Sequence, residues 1–384
     1  MMPRKIKMGM VGGGPGSFIG IIHFNSAMLD GQIELVCGAF SSDPAKSKET
    51  GENYFLNPNR VYDSYQDMFI KEKQLPEGER MDFVCIATPN HVHFEPSKMA
   101  LENGFHVVSD KPLTYNTEEA EILAKMVEDT GLIFALTHAY TGYPMVKEAR
   151  QLIENKELGT IRKIVVEYPQ GWLSLPEEEG DNIQAGWRTD PKRSGKAGCM
   201  GDIGTHALNL AEYISGLRVS EICADLSIFV KGRRLDDDGN VLLKFDKGAK
   251  GILYASQISA GEENDLSIRI YGEKGNLKWR QEEPNTLKIM RLGKPAELRR
   301  TGHPYLSDIA NYNTRMPAGH PEGLMEAFAN IYRNVAISIQ HRLMGKDIPE
   351  FAKDYPTVYD GLRGMQFIDK LIESNDSEYK WTQM

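Results

Sequence analysis

Cysteine is scarce and scattered: Cys37, Cys85, Cys199 and Cys223 are the four in 384 residues, with no Cys-x-x-Cys pair. Such a count excludes a disulfide scaffold, and the spacing suits no metal, so none is expected. Long apolar runs are missing too. Nothing approaches the roughly 18 apolar residues of a membrane-crossing helix. The basic start, Met1–Lys7, reads as a solvated segment; it leads into a short apolar run and then glycines, without a secretory cleavage site. A cytoplasmic protein with reduced thiols is expected. Positive charge is not in excess, since 45 Lys and Arg face 54 Asp and Glu for a formal net charge of −9. Affinity for nucleic acid or an anionic membrane needs clustered positive charge, so neither partner is expected.

What is present is an ordinary globular composition, 41% hydrophobic and 26% charged, in a length that suits two or three domains. Up to about residue 140, apolar runs at Ile6–Val11, Ile33–Phe40, Asp82–Thr88, Phe105–Ser109 and Leu132–Thr137 alternate with helical patterns. Near-continuous apolar strands separated by helices imply a parallel sheet covered on both faces. Beyond a helix at about 144–155 the pattern changes. Val241, Leu243 and Phe245 alternate with Leu242, Lys244 and Asp246, and Leu266, Ile268 and Ile270 with Ser267, Arg269 and Tyr271. That period of two marks strands with one wetter face, typical of an antiparallel sheet. Helices are expected near 200–215, 322–344 and 355–374. The fold class is therefore α/β: an N-terminal dinucleotide-binding domain over 1–140, then an α+β domain over 141–384 with a largely antiparallel open sheet. The final helix is a candidate to pack back on the first domain.

The first strand runs into Val11-Gly12-Gly13-Gly14-Pro15-Gly16-Ser17-Phe18, where the first helix opens. Glycines admit phosphate oxygens close to the backbone, and a helix N-terminus offers unpaired N–H groups. Gly12, Gly14, Gly16, Ser17 and Phe18 are accordingly expected at a dinucleotide. Read as G-x-G-x-x-G the motif is imperfect, with Ser17 in the third place. The second strand ends in Ser41 and Ser42, with Asp43, Lys46 and Lys48 following, where NAD-binding folds usually carry an acid. Hydroxyls and the Lys46 cation suit a 2′-phosphate, which favours NADP over NAD. The alternative is Asp43 reaching the ribose or only capping the next helix.

Three further motifs stand at telling places: Ala87-Thr88-Pro89-Asn90-His91-Val92-His93, Asp110-Lys111-Pro112 and Gly201-Asp202-Ile203-Gly204-Thr205-His206. With the glycine turn, Gly186-Trp187-Arg188 and His320-Pro321-Glu322-Gly323, they resemble the Gfo/Idh/MocA family over nearly the whole chain. The family's Glu-Lys-Pro is Asp-Lys-Pro here. The resemblance implies a Rossmann domain, a second domain whose open sheet often joins subunits (a homodimer or homotetramer), and reversible NAD(P)-dependent oxidation of a sugar, polyol or inositol hydroxyl. It also implies that Lys111 contacts substrate hydroxyl and cofactor, and that His206, paired with Asp202, handles the hydroxyl proton. Thr88, Pro89, Asn90 and His93 would pass beneath the cofactor, beside Asp110.

The residues themselves fit that chemistry. Oxidising an alcohol moves a hydride to the nicotinamide and a proton to a base, and histidine accepts protons near neutral pH. Asp202 and His206, spaced i,i+4, share one face if that segment is an α-helix. Lys111 follows a strand's carboxyl end, the edge where open α/β sheets bind ligands, and its ammonium would stabilise alkoxide character. His138 and Tyr140, following the last strand of the first set, are candidates for substrate contact. So are Trp187 and Arg188, an aromatic face for ring C–H surface and a guanidinium for hydroxyls. His320 reaches the site or caps the late helix. Two other functions stay open on the sequence: an enzyme with a retained, cycling cofactor (sugar–sugar oxidoreduction, glycoside cleavage or epimerisation), and a non-catalytic sensor of a dinucleotide or metabolite.

Overall fold

The structure is a computed structural model and describes residues 4–384, so residues 1–3 of the basic start lie outside the described residues. The chain opens with β1 (Ile6–Gly12), α1 (Phe18–Met28), β2 (Ile33–Ala39), α2 (Pro44–Asn53), α3 (Tyr65–Gln74), β3 (Phe83–Ala87), α4 (Phe94–Glu102), β4 (His106–Ser109), α5 (Thr117–Thr130) and β5 (Phe134–Leu136). These five strands form one sheet in the order β2-β1-β3-β4-β5, every pair parallel. Phe83, Val84, Cys85 and Ile86 are fully buried, as a central strand covered on both faces requires. Outside β2, Val61 makes a single parallel bridge to Gly38. Counting that bridge as the remnant of a strand restores the usual dinucleotide-fold order, with the switch point between β1 and β3.

The chain continues through α6 (Pro144–Glu154), β6 (Ile161–Pro169), the short α7 (Ile183–Arg188) and α8 (Pro191–Ser194), and α9 (Thr205–Ser215). Then come β7 (Val219–Ser227), β8 (Asp238–Phe245), β9 (Lys250–Ser256), β10 (Ser267–Gly272), β11 (Gly275–Arg280), β12 (Thr286–Arg291) and β13 (Glu297–Arg300). The short α10 (Asp308–Tyr312), α11 (Leu324–Leu343), α12 (Val358–Asp376) and β14 (Thr382–Gln383) complete it. The second sheet has nine strands in the order β13-β12-β11-β10-β6-β9-β8-β7-β14. Every pair in it is antiparallel except β6 with β9, which run parallel. The alternation at 241–246 and 266–271 matches in the apolar set: Val241, Leu243, Phe245, Leu266, Ile268 and Ile270 are buried, and of their alternates only Ser267 joins them.

The chain forms two compact units, and their bounds correct the expected division. One unit holds the residues up to Ala139 together with Met325–Leu362; the other holds Tyr140–Leu324 and Arg363–Met384. The units therefore do not follow a single cut of the chain, because Met325–Leu362, which holds most of the penultimate helix α11, packs in the first unit. Its Tyr332, fully buried, bonds His23 of α1 and Cys85 of β3. An apolar stripe identifies a helix that needs a partner without saying which sheet supplies it.

Candidate functional site

In the first unit, the candidate residues sit at the carboxyl ends of the parallel strands. Gly12, Gly13 and Gly16 take φ of 83°, 78° and 80°, a left-handed conformation that side chains oppose. A Cβ on Gly12 would lie 2.5 Å from the Ala87 carbonyl oxygen, and one on Gly14 2.8 Å from that of Phe40. The turn is thus pressed against the ends of β3 and β2. Ser17 caps α1, accepting from the Gly20 N–H at 3.1 Å. The close approach that the motif's third glycine normally permits is made instead by Gly20, whose Cβ would stand 2.4 Å from Gly13 Cα. That glycine, three places after Ser17, was the signal the motif reading missed. Phe18 is exposed, and the first turn of α1 carries no acid to repel a phosphate.

At the end of β2 the Ser41 hydroxyl accepts from the Asp43 N–H at 3.1 Å. Asp43 caps α2, accepting from Ala45 at 2.9 Å, so of the roles open to it the structure shows the cap. Ser42 and Lys46 are exposed beside it. Past β3 the Thr88 Oγ1 is buried and, among the described residues, without a hydrogen-bond partner. This orphan hydroxyl at the sheet's switch point, together with the glycine turn, fits a dinucleotide. Pro89 and the buried Asn90 follow. His93 is fully buried with Nδ1 2.7 Å from the Pro112 oxygen and Nε2 2.8 Å from that of Thr88. Both ring nitrogens face backbone carbonyl oxygens, so His93 ties the loop after β3 to the turn at Lys111–Pro112.

After β4, Asp110 Oδ1 accepts from the Lys111 N–H and the Thr137 hydroxyl, both at 2.9 Å. The Lys111–Pro112 peptide is cis. His138 is 2% exposed; burial, and then the Lys111 ammonium, push its ring down to about 3. It is neutral at working pH, able to give or take a hydrogen bond but carrying no charge.

In the second unit, the helix expected from 200 does not begin as an α-helix. Met200–Gly204 is a π-helical turn, with the Thr205 N–H bonded back to the Met200 carbonyl, and α9 follows. Such turns displace the side-chain register from i,i+4 and favour functional positions. The buried Asp236 secures it by accepting from the Gly198 and Met200 N–H groups at 2.6 and 2.7 Å, while burial pushes its carboxyl up to about 6. We expect Asp236→Ala to strand two buried donors, lowering stability by about 2 kcal/mol and slowing turnover; calorimetric melting and kcat measure both.

Asp202 Oδ2 accepts from Arg188 Nε at 3.2 Å and from Gln257 Nε2 at 2.9 Å. The Arg188 guanidinium lies 4.1 Å from the centre of the Trp187 ring and 5.9 Å from that of Trp172. Trp187 therefore presents one face to Arg188 rather than to a ligand, and Arg188 is first of all a partner of Asp202. His206, 8% exposed, packs edge-on against Tyr140 with ring centres 4.9 Å apart. The Tyr140 hydroxyl bonds that of Tyr168, which donates to Asn264 Oδ1 at 2.9 Å; Gln170 Nε2 donates to the same oxygen at 2.5 Å. Burial pushes both tyrosines up, so they stay neutral.

Tyr168, Gln170, Trp172, Gln257 and Asn264 were not singled out from the sequence. Gln170 and Gln257 follow β6 and β9, which pair in parallel with Pro169 opposite Ser256. Two amides thus emerge side by side, a register that alternation of side chains does not disclose. His320 is exposed, its Nδ1 3.3 Å from the Pro317 carbonyl oxygen. The buried member of its motif is Glu322, whose Oε1 accepts from the Arg315 and Met316 N–H groups.

Comparison with known proteins matches residues 6–138 to an oxidoreductase family described as an NAD-binding Rossmann fold, and residues 146–278 to the GFO/IDH/MocA C-terminal domain. An uncharacterized oxidoreductase of Bacillus subtilis, YfiI, is 33% identical over 100% of this chain and 98% of its own. A solved inositol dehydrogenase homolog from Azotobacter vinelandii, complexed with NADH and myo-inositol, is 33% identical with a TM-score of 0.91, covering 99% of this chain and 98% of that one. Levoglucosan dehydrogenase of Pseudarthrobacter phenanthrenivorans is 27% identical over 77% of this chain and 78% of its own.

Proposed function

The chain belongs to the Gfo/Idh/MocA family of NAD-binding oxidoreductases, and we propose that it oxidises a ring hydroxyl of a cyclitol or uncharged sugar. The observation that carries this reading is the polar cluster around Asp202 and His206, where tyrosine hydroxyls, amides and an ion-paired carboxylate offer paired donors and acceptors to a polyol. A bound nicotinamide supplies the hydride acceptor. Gly12, Gly14, Gly16 and the capped start of α1 hold the pyrophosphate, with Thr88 Oγ1 donating or accepting at the switch point. Lys111 donates to the reacting oxygen and favours its alkoxide character. His206 takes the hydroxyl proton at a ring nitrogen, and Asp202, shared with Arg188 and Gln257, supports the charge that results. A homo-oligomer is the expected assembly. The test is a panel of inositols, pyranoses and anhydrosugars assayed with NAD+ and NADP+; reduction of the coenzyme by none of them would contradict the reading.

Coenzyme choice turns on the end of β2. Asp43, the only carboxylate between Ser41 and Ser47, is occupied as a helix cap, while two serines and Lys46 remain for a 2′-phosphate, which favours NADP. Ser41→Asp should then weaken NADP by roughly tenfold or more, equivalent to about 1.4 kcal/mol or above, and leave NAD nearly unaffected. Isothermal calorimetry with both coenzymes reads the difference; a wild type that binds NAD far better than NADP would reverse the assignment.

A further inference from the structure

Residues 233–237, which lead into β8, reach three of the segments that build the Asp202 cluster. Arg233, its side chain 2% exposed, forks onto Glu178, with Nε 2.9 Å from Oε1 and Nη2 3.1 Å from Oε2. The same Nη2 donates to the Leu175 carbonyl oxygen at 2.8 Å. Arg234, on the surface, donates at 3.1 Å to Asp190 Oδ1, the carboxylate that caps α8. Asp236 holds the π-helical turn through the Gly198 and Met200 N–H groups. The Asp237 carbonyl oxygen accepts from the Gln257 N–H at 2.9 Å.

What Arg233 holds is the base on which Arg188 stands. Glu178 lies in the short helical turn Glu177–Glu179, and α7 packs against that turn. The last residue of α7 is Arg188, whose Nε donates to Asp202 Oδ2 at 3.2 Å. Its guanidinium rests beside Trp187 and Trp172, both on the same segment, so the segment carries its own cradle and needs an anchor. Arg233 supplies the anchor from the scaffold side. Its Nη1 lies 3.3 Å from Asp237 Oδ2, and that buried carboxylate also accepts from the Phe229 and Val230 N–H groups at 2.9 Å each. A two-point guanidinium–carboxylate pair fixes orientation as well as distance, and burial keeps water from competing for it.

We propose that Arg233 is a positioning residue for Arg188, its fork on Glu178 setting the turn that carries α7 and so the guanidinium that pairs with Asp202. The proposal rests on the reading of Asp202 and His206 as the pair that handles the hydroxyl proton. Arg233 has no contact with the reacting atoms in this scheme; it acts through Arg188. Replacing it by methionine leaves Asp237 with its two N–H donors, and Glu178, 18% exposed, can turn to water. The scaffold is thereby kept while the segment over 172–188 loses its hold.

The experiment compares Arg233→Met, Arg233→Lys, Glu178→Ala, Arg188→Ala and the double variant Arg233→Met with Arg188→Ala, all in the full-length protein. For each, kcat/KM is measured with the member of the inositol and sugar panel that turns over fastest, coenzyme affinity by calorimetry, and amide hydrogen exchange over 172–188. Arg233→Met should lower kcat/KM on the order of tenfold to a hundredfold, the effect of misplacing a group by about 1 Å. Exchange over 172–188 should quicken, and coenzyme affinity should not change, since the glycine turn belongs to the first unit. Arg233→Lys keeps the charge without the fork and should fall between. Glu178→Ala cuts the same pair from its more exposed side and should lower kcat/KM even if Arg233→Met fails to fold. In the Arg188→Ala background Arg233→Met should cost almost nothing more, because both act through one group. Wild-type kcat/KM in Arg233→Met or Glu178→Ala overturns the proposal, as does a loss that multiplies with that of Arg188→Ala. A fully active Arg188→Ala would instead overturn the part given to the Arg188–Asp202 pair.

Discussion

His206→Ala is expected to lower turnover by about 10²–10⁴-fold and to leave coenzyme binding intact. The size follows from what a positioned base contributes, and the selectivity from where the residue lies. His206 opens α9, in the second unit, whereas the glycine turn and Thr88 belong to the first. In the wild type, kcat/KM for oxidation should rise with pH, because only a neutral ring accepts a proton. Asp202→Asn removes the negative charge that Arg188 pairs with, so if that charge supports the proton on His206 the ionisation should move downward. Lys111→Ala should be at least as damaging, since a developing alkoxide would lose its cation. Initial rates over a pH series, with coenzyme affinities by calorimetry, test all three. If His206→Ala keeps most of its activity while Lys111→Ala loses it, the lysine is the base and the two roles are exchanged.

The second large effect is acid lability. Burial holds His106 down to about 4 and His138 to about 3, against an ordinary value of 6.5, and lowers His23 as well. His106 is neutral on geometry alone, since its Nδ1 accepts from the Ile133 N–H at 2.9 Å. Below 6.5 the unfolded chain takes up protons at these rings while the folded chain does not. Stability is therefore present above 6.5 and falls with pH down to about 4, on the order of 1.4 kcal/mol per pH unit for each of His106 and His138. Urea denaturation between pH 7 and pH 4.5 should show that slope, and His138→Gln should flatten it. A stability that does not change over this range would mean that the rings protonate freely in the fold.

Much of the first unit could be read from residues because its signals are local. Five apolar runs became five parallel strands, and the glycines after the first sit at the sheet's switch point. What escaped the sequence depends on pairing at a distance. The bridge at Val61 is one residue long and has no period. The parallel pairing of β6 with β9, which sets Gln170 beside Gln257, looks from either strand like antiparallel alternation. The π-turn at Met200–Gly204 rests on a carboxylate more than thirty residues away in the chain, and Asp236 shows only as part of an acidic run. The charge of Arg188 is visible in the sequence, whereas its ion pair with Asp202 is not.

The most direct test of the account is the fate of the hydride. A substrate taken from the cyclitol and sugar panel, deuterated at the carbon that bears the reacting hydroxyl, is incubated with the wild-type protein and oxidised coenzyme, and the nucleotide is analysed by mass spectrometry. Deuterium should appear in the reduced nicotinamide released to solution, one equivalent per ketone formed, and none from His206→Ala or Lys111→Ala on the same timescale. Ketone formed without label in the nicotinamide, or no reduced nicotinamide from any alcohol tried, would contradict it.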